Sequence, residues 1–321
     1  LNDFQGAAFE FADWEALRGR FSIDVFREML PEGDLRADAL KPYEVIVAMR
    51  ERTPFPAELL QCLPHLRLLV TTGMWNRAID MQAAARQGIT VCGTDSSRQA
   101  PVELAWALIL GASRHIAQED AAMRGGAWQT RVGVELHGKT LGVLGLGRLG
   151  SEMVRIGRAF GMEPIAWSQN LTAAKAAEAG AALVSREELF RRSDVITIQL
   201  VLSDRTRGLI GEAELRSMKP TALLVNTSRG AIVDEDALVA ALTEGRIGGA
   251  ALDVYDIEPL PPDHRLRKTP RTLLTPHIGI TTDVNYRTYY MQAVEDVLAW
   301  LGGEPLRVLN GSRSAASAPA L

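Results

Sequence analysis

The tightest constraint on the fold is an apolar run that ends in a fixed pattern of glycines: Leu141-Gly142-Val143-Leu144-Gly145-Leu146-Gly147-Arg148-Leu149-Gly150. It reads as a short strand, then G-x-G-x-x-G, then a helical pattern through Phe160. Glycines at this spacing let the backbone turn sharply and approach a pyrophosphate. The helix N-terminus then faces the phosphate charge. A lone G-x-G-x-x-G arises by chance, but one that follows an apolar strand and opens an amphipathic helix reads as a dinucleotide seat. Its position matters as well. Roughly 140 residues precede it, so a separate element comes before the nucleotide unit.

Strand and helix patterns alternate along nearly the whole chain, the mark of parallel α/β sheets. Before the fingerprint, residues 45–49, 66–71 and 89–92 read as strands, and residues 56–63 and 79–87 as helices. One long helix is predicted from about 100 to 123, suited to a connector or a subunit contact. From Leu136 the alternation repeats, with strands at 140–144, 164–167, 195–199, 222–226 and 250–254 and a short one at 273–274. Residues 283–301 read as a helix that carries the chain back to the first unit. The expected fold class is α/β: two Rossmann-like or flavodoxin-like parallel-sheet domains with a cleft between them. The expected division is residues 1–98 plus 290–321 for a substrate domain and 99–289 for an NAD(P)-binding Rossmann domain. The opening residues, Leu1 to Gln5, read as the end of a strand and its turn, so a few residues are expected to precede Leu1. The small, polar stretch 311–321 reads as a loosely held tail.

A length of 321 residues suits two domains, and 47% hydrophobic residues argue against global disorder. The net charge of -4 argues against a nucleic-acid partner. It leaves a small anionic substrate open, because local arginine placement decides that. Cys62 and Cys92 lie in apolar stretches and read as buried free thiols. No signal-peptide pattern and no apolar run of membrane length is visible, so a soluble, cytoplasmic protein is the default expectation. No cluster of histidine, cysteine and carboxylate has metal-ligand spacing, so no metal is expected.

In a dinucleotide fold, an acid at the end of the next strand usually holds the ribose 2′-hydroxyl. Here that stretch is Ser168-Gln169-Asn170, with neither a carboxylate nor an arginine. A carboxylate would repel a 2′-phosphate and these neutral residues would not. NADP is therefore possible, and weak discrimination between NAD and NADP is expected. Arg229, in Asn226-Thr227-Ser228-Arg229-Gly230, closes another apolar strand, where parallel sheets bind ligands. It can hold a carboxylate with two parallel hydrogen bonds or polarise a carbonyl; a surface arginine is the plain alternative. Asp253 and Glu258, in Asp253-Val254-Tyr255-Asp256-Ile257-Glu258-Pro259, follow a further strand, where a carboxylate has a use; a solvated loop residue is the plain alternative for Glu258. His277 sits in Thr275-Pro276-His277-Ile278-Gly279. A histidine, with an ordinary pKa of about 6.5, suits proton transfer, and a carboxylate beside it would fix the ring and stabilise the imidazolium. His65, His115, His137 and His264 lack such a setting and read as structural.

Taken in order, these pieces resemble the D-isomer-specific 2-hydroxyacid dehydrogenases over nearly the whole chain. They are His137-Gly138-Lys139-Thr140 with the fingerprint, Asn226 to Gly230, Ala251-Leu252-Asp253-Val254, Glu258-Pro259, and Thr275 to Gly279. The resemblance implies that Arg229 binds the substrate carboxylate and carbonyl, that His277 is the acid/base and that Glu258 partners it. It implies cofactor contacts at Gly145, Gly147, Arg148, Leu149, Gly150, Ser168 and Thr206, with Asp253 and the backbone near Thr227 at the nicotinamide end. It also implies a substrate domain built from both chain ends. Departures from the family pattern stand out: Ser168 replaces the family's common acid, and Gln199 and Val201 replace a histidine and a proline found in many members. The substrate loop, with Gly73, Met74, Trp75 and Asn76, also differs from the commoner Gly-x-Gly-Val-Asp form. Its N–H groups should still meet a carboxylate, while Trp75 and Asn76 would reshape the pocket. Arg50 matches a family position facing the cleft, or else is a surface arginine.

The activity implied is reversible hydride transfer between NAD or NADP and a small 2-keto or D-2-hydroxy acid. Glyoxylate-like and hydroxypyruvate-like substrates fit, in a homodimer joined through the nucleotide domain. Formate and phosphonate dehydrogenases share the scaffold, but a formate enzyme would not need the histidine–glutamate proton pair in this form. A different class is a nucleotide-sensing, corepressor-like binding protein, because fold alone does not decide function. The presence of all three catalytic residues argues against a pure binder.

Overall fold

The computed structural model describes residues 1–311, so the expected tail lies, beyond Gly311, outside the described residues. The described chain forms two compact units by packing: Leu1–Ser97 together with residues 281–311, and Arg98–Ile280.

The first unit carries a parallel three-stranded sheet, β1 (Val45–Ala48), β2 (Leu68–Thr71) and β3 (Thr90–Gly93), in that order. The helices Ala57–Gln61 and Met81–Arg86 link successive strands, and Leu40, Ile46, Phe55, Leu60, Leu69 and Val91 pack into one core. The helix Asp283–Leu301 stays whole in this unit, rather than being divided at 289/290 as expected. Its tyrosines hold it there: the Tyr286 hydroxyl donates to Gln5 Oε1 at 2.7 Å, and the Tyr289 hydroxyl lies 2.7 Å from Ser96 Oγ. The chain then returns beside β3, where the Leu309 N–H donates to the Val91 carbonyl.

The second unit carries seven parallel strands: β4 (Thr140–Leu144), β5 (Glu163–Trp167), β6 (Ala182–Leu183), β7 (Val195–Ile198), β8 (Leu223–Asn226), β9 (Gly249–Leu252) and β10 (Thr272–Leu274). Their order across the sheet is β10-β9-β8-β7-β4-β5-β6. Direction of winding reverses between β4 and β7, the position where open α/β sheets bind ligands. The strands are apolar on both faces because helices cover both. Leu141, Val143, Ala166, Val195, Val225 and Ala251 face one core, while Leu144, Ile165, Ile196, Leu224 and Leu252 face the other. Alternation of this kind follows from the two-residue period of a strand.

Three expectations need correction. The helix predicted over 100–123 is two helices, Gln99–Ser113 and Ile116–Arg124, because His115 adopts left-handed backbone (φ 53°). Strand β6 was not expected from the sequence because it is only two residues long, both of them exposed. Cys92 is buried, but Cys62, just after the helix Ala57–Gln61, is exposed; both are free thiols. Among the described residues no helix is long and apolar enough to cross a membrane, and no group of three or more potential ligands could hold a metal.

Candidate active site

Parallel register puts Leu144, Trp167, Ile198, Asn226, Leu252 and Leu274 in one row at the carboxyl edge of the second unit's sheet. The residues that follow them in the chain therefore crowd the same edge: Gly145, Ser168, Gln199, Thr227, Asp253 and Thr275.

The fingerprint occupies the centre of this edge. Gly145 has φ +96°, and a Cβ there would lie 2.6 Å from the Gln199 carbonyl oxygen. A Cβ on Gly150 would overlap the Gly145 carbonyl, so the first helical turn can pack against β4 only with glycine at that position. Around Gly147 the space is open, and it supplies no side chain to cap the helix Arg148–Ala159. The first-turn N–H groups, those of Arg148 and Leu149 among them, are thus left to a ligand, and an anion is the ligand they suit. This cradle fits the pyrophosphate of a nicotinamide dinucleotide.

Arg229, Glu258 and His277 come from three successive loops of the same edge. Asn226 builds the first loop: its Nδ2 donates to the Arg229 carbonyl at 2.9 Å, and its Oδ1 accepts from the Ser228 N–H at 3.0 Å. Gly230 lies so close to the Tyr255–Asp256 backbone that a side chain would collide with it, which draws the arginine loop onto the glutamate loop. Glu258 Oε1 accepts from the Tyr255 N–H at 2.9 Å, and its Oε2 lies 2.5 Å from His277 Nδ1. Desolvation pushes the Glu258 carboxyl up, but the His277 hydrogen bond and charge, the Tyr255 N–H and the Arg229 charge outweigh it. Together they hold the carboxyl below its ordinary value. With Nδ1 on the carboxylate, the imidazole has Nε2 left for proton exchange. The His277 and Glu258 side chains remain 39% and 33% exposed, open enough to meet a substrate.

Asp253 has a different job from contacting solvent or ligand freely, since it is 1% exposed. Its Oδ1 accepts from Thr275 Oγ1 at 2.7 Å and from the Ile278 N–H at 2.9 Å, and its Oδ2 accepts from the Gly279 N–H at 3.0 Å. Burial raises its carboxyl pKa; these three hydrogen bonds and the His277 charge oppose the rise. Asp253 therefore ties down the loop that carries His277, itself in left-handed backbone at φ 53°. Asp253→Asn would turn an amide N–H₂ towards at least one of those donors. Stranding one buried donor costs about 1–3 kcal/mol. A melting temperature lower by roughly 2–4 °C per kcal/mol is expected, with a fall in turnover as the loop loosens. An Asn variant that melted and turned over like the parent would show that this tie is dispensable.

At the adenosine end, the Gly145 N–H donates to the Trp167 carbonyl at 2.8 Å, which sets Ser168 beside the fingerprint. Thr206 Oγ1 accepts from the Ser203 N–H and donates to the Val201 carbonyl, both within 2.8 Å, and so shapes the turn after β7. A cavity of about 310 Å³ opens here, lined by Trp167, Gln169, Arg186, Leu200, Arg205, Thr206 and Leu209. The reading that no arginine serves this strand end holds only along the chain. Folding brings Arg186 and Arg205 there from the helix Arg186–Arg192 and from the turn after β7.

The loop proposed for substrate lies in the first unit. The Gly73 N–H already donates to Thr94 Oγ1 at 2.8 Å. Asn76 is 2% exposed, and its amide bonds the Arg50 carbonyl, Thr71 Oγ1 and the Ala78 N–H, so it builds the loop. Met74 and Trp75 are 48% and 53% exposed, with the Arg77 guanidinium over the Trp75 ring. Arg50 Nη1 donates to the Thr72 carbonyl at 3.3 Å, laying its guanidinium across Gly73. Sequence reasoning missed Asn226, Ser228 and Tyr255 as builders of the second unit's edge. The Tyr255 hydroxyl donates to the Thr275 carbonyl at 2.9 Å, a link between distant loops that no local pattern announces.

The chain is similar to known proteins over most of its length. The profile of the D-isomer specific 2-hydroxyacid dehydrogenase NAD binding domain matches residues 106–279. A glyoxylate reductase of Aeropyrum pernix is 44% identical over 257 residues, covering 77% of each chain. A D-3-phosphoglycerate dehydrogenase of Archaeoglobus fulgidus is 37% identical over 83% of this chain but only 51% of its own length. The crystal structure of a phosphoglycerate oxidoreductase from Vibrio cholerae O395 superposes with a TM-score of 0.88 at 35% identity, over 94% of this chain and 98% of that one.

Proposed function

Because the chain belongs to the D-isomer-specific 2-hydroxyacid dehydrogenase family, and is thus an NAD(P)-dependent enzyme acting on CH–OH donors, we propose that its substrate is a small 2-keto acid of the glyoxylate or hydroxypyruvate class. The observation that carries the reading is the contact between His277 Nδ1 and Glu258 Oε2, on the same sheet edge as Arg229. Nicotinamide, when bound, supplies the hydride. Arg229 holds the substrate carboxylate and carbonyl by its two-pronged guanidinium. His277 gives the Nε2 proton to the carbonyl oxygen as charge develops there, and Glu258 stabilises the imidazolium before transfer. In the first unit, Arg50, Gly73, Met74 and Trp75 are assigned to substrate recognition. The first unit is the substrate domain and the second the dinucleotide domain.

Support for the substrate class comes from the glyoxylate reductase relative, which matches this chain over an equal share of both lengths, whereas the phosphoglycerate dehydrogenase relative is about twice as long as the matched part. A nucleotide-sensing binder without catalysis is not favoured, since its matches are to reductases and dehydrogenases. A cytoplasmic homodimer joined through the second unit also belongs to this reading. Its support is the exposed apolar set Ile116, Met123, Trp128 and Val132 on that unit.

The test is consumption of NADH and of NADPH with glyoxylate, hydroxypyruvate, pyruvate and 3-phosphohydroxypyruvate. The highest kcat/KM should fall on glyoxylate or hydroxypyruvate. A clear preference for the phosphorylated acid would overturn the substrate class, and no oxidation with any of the four would overturn the reading.

A further inference from the structure

The cavity beside Ser168 holds two cations and no carboxylate. Its lining begins at Trp167, where the Gly145 N–H joins the fingerprint to the end of β5, so it adjoins the position at which this fold reads the ribose 2′-substituent. Arg186 is partly neutralised: its guanidinium lies 3.4 Å from Glu214 Oε1, and Glu214 is itself fixed by its bond to the Gly211 N–H. Arg205 makes no ion pair among the described residues and stands on a turn held by Thr206. A cavity with a firm polar wall and an unpaired guanidinium suits an anion with several oxygens, since arginine binds phosphate in a forked, charge-assisted geometry. An unphosphorylated ribose offers the same cavity nothing that needs a cation.

We propose that Arg205, backed by Arg186, binds the 2′-phosphate of NADP(H) in this cavity, so that the enzyme prefers NADP(H) to NAD(H). The proposal goes past the weak discrimination expected from Ser168-Gln169-Asn170 alone, because the cations arrive from elements distant in sequence. It rests on the dinucleotide seat at the fingerprint but not on the identity of the keto acid.

Calorimetric titration separates these dependencies, because it needs no turnover. The parent, Arg205→Ala, Arg205→Lys and Arg186→Ala would each be titrated with NADPH, NADH, adenosine 2′,5′-bisphosphate and 5′-AMP. The parent is expected to bind NADPH and the bisphosphate at least about tenfold more tightly than NADH and AMP. Arg205→Ala should remove most of that margin while leaving NADH and AMP within a factor of about two, Arg205→Lys should restore part of it, and Arg186→Ala should take a smaller share. Ser168→Asp should reverse the preference by returning a carboxylate to the strand end. Equal binding of NADPH and NADH by the parent, or equal weakening of both by Arg205→Ala, would overturn the assignment. Failure of all four probes to bind would overturn the nucleotide seat itself, and this assignment with it.

Discussion

His277→Gln is expected to cut turnover by about 10²–10⁴-fold while the dissociation constant of the reduced cofactor stays within a factor of about two. Glutamine keeps a hydrogen-bonding side chain at the Glu258 contact but has no proton to give at neutral pH. The hydride can still be offered, yet the oxygen that receives charge finds no acid. The loss belongs in kcat, since the histidine acts as charge develops and contributes little to ground-state binding. Because Nδ1 is held by Glu258 Oε2 at 2.5 Å, Glu258→Gln should lower turnover in the same direction and by less, the ring remaining in place but its charge unsupported. Turnover of His277→Gln within a few-fold of the parent would show that another group donates the proton.

Arg229→Lys is the second large effect. Lysine keeps the charge and loses the fork, so at least one charge-assisted hydrogen bond goes, at a cost of about 1.5–3 kcal/mol. A fall in kcat/KM of roughly 10- to 100-fold follows, with cofactor binding unaltered because Arg229 lies outside the fingerprint. Steady-state kinetics with glyoxylate, beside calorimetry with the reduced cofactor, would register both halves. An unchanged kcat/KM would remove Arg229 from the substrate.

Much of the second unit was legible because its strands announce themselves. Thr140–Leu144 is an apolar run with glycines after it, and Asp283–Leu301, in the first unit, keeps a helical period over nineteen residues. Arg229, Glu258 and His277 could be singled out since each follows a strand end, and the register of β7 to β10 places those ends side by side. The break at His115 left no trace, because neither glycine nor proline marks it and only the folded backbone reveals its left-handed conformation. The role of Asp253 was hidden for another reason: the hydrogen bonds that occupy both its oxygens come from residues more than twenty positions away. Arg186 and Arg205 likewise share a cavity wall with Gln169 only in the folded chain, being distant from it in sequence. Chain pattern reports local structure and strand ends; convergence of separate loops has to be read from the fold.

The central claim is that this sheet edge reads a carboxylate beside a carbonyl and reduces the carbonyl. The most direct measurement is kcat/KM for glyoxylate against glycolaldehyde, which offers the same aldehyde without the carboxylate, in the parent enzyme. A site built to hydrogen-bond a substrate group rejects the analogue that lacks it by roughly 10⁴-fold, and a ratio of that order in favour of glyoxylate is predicted. Comparable values for the two aldehydes would contradict the account.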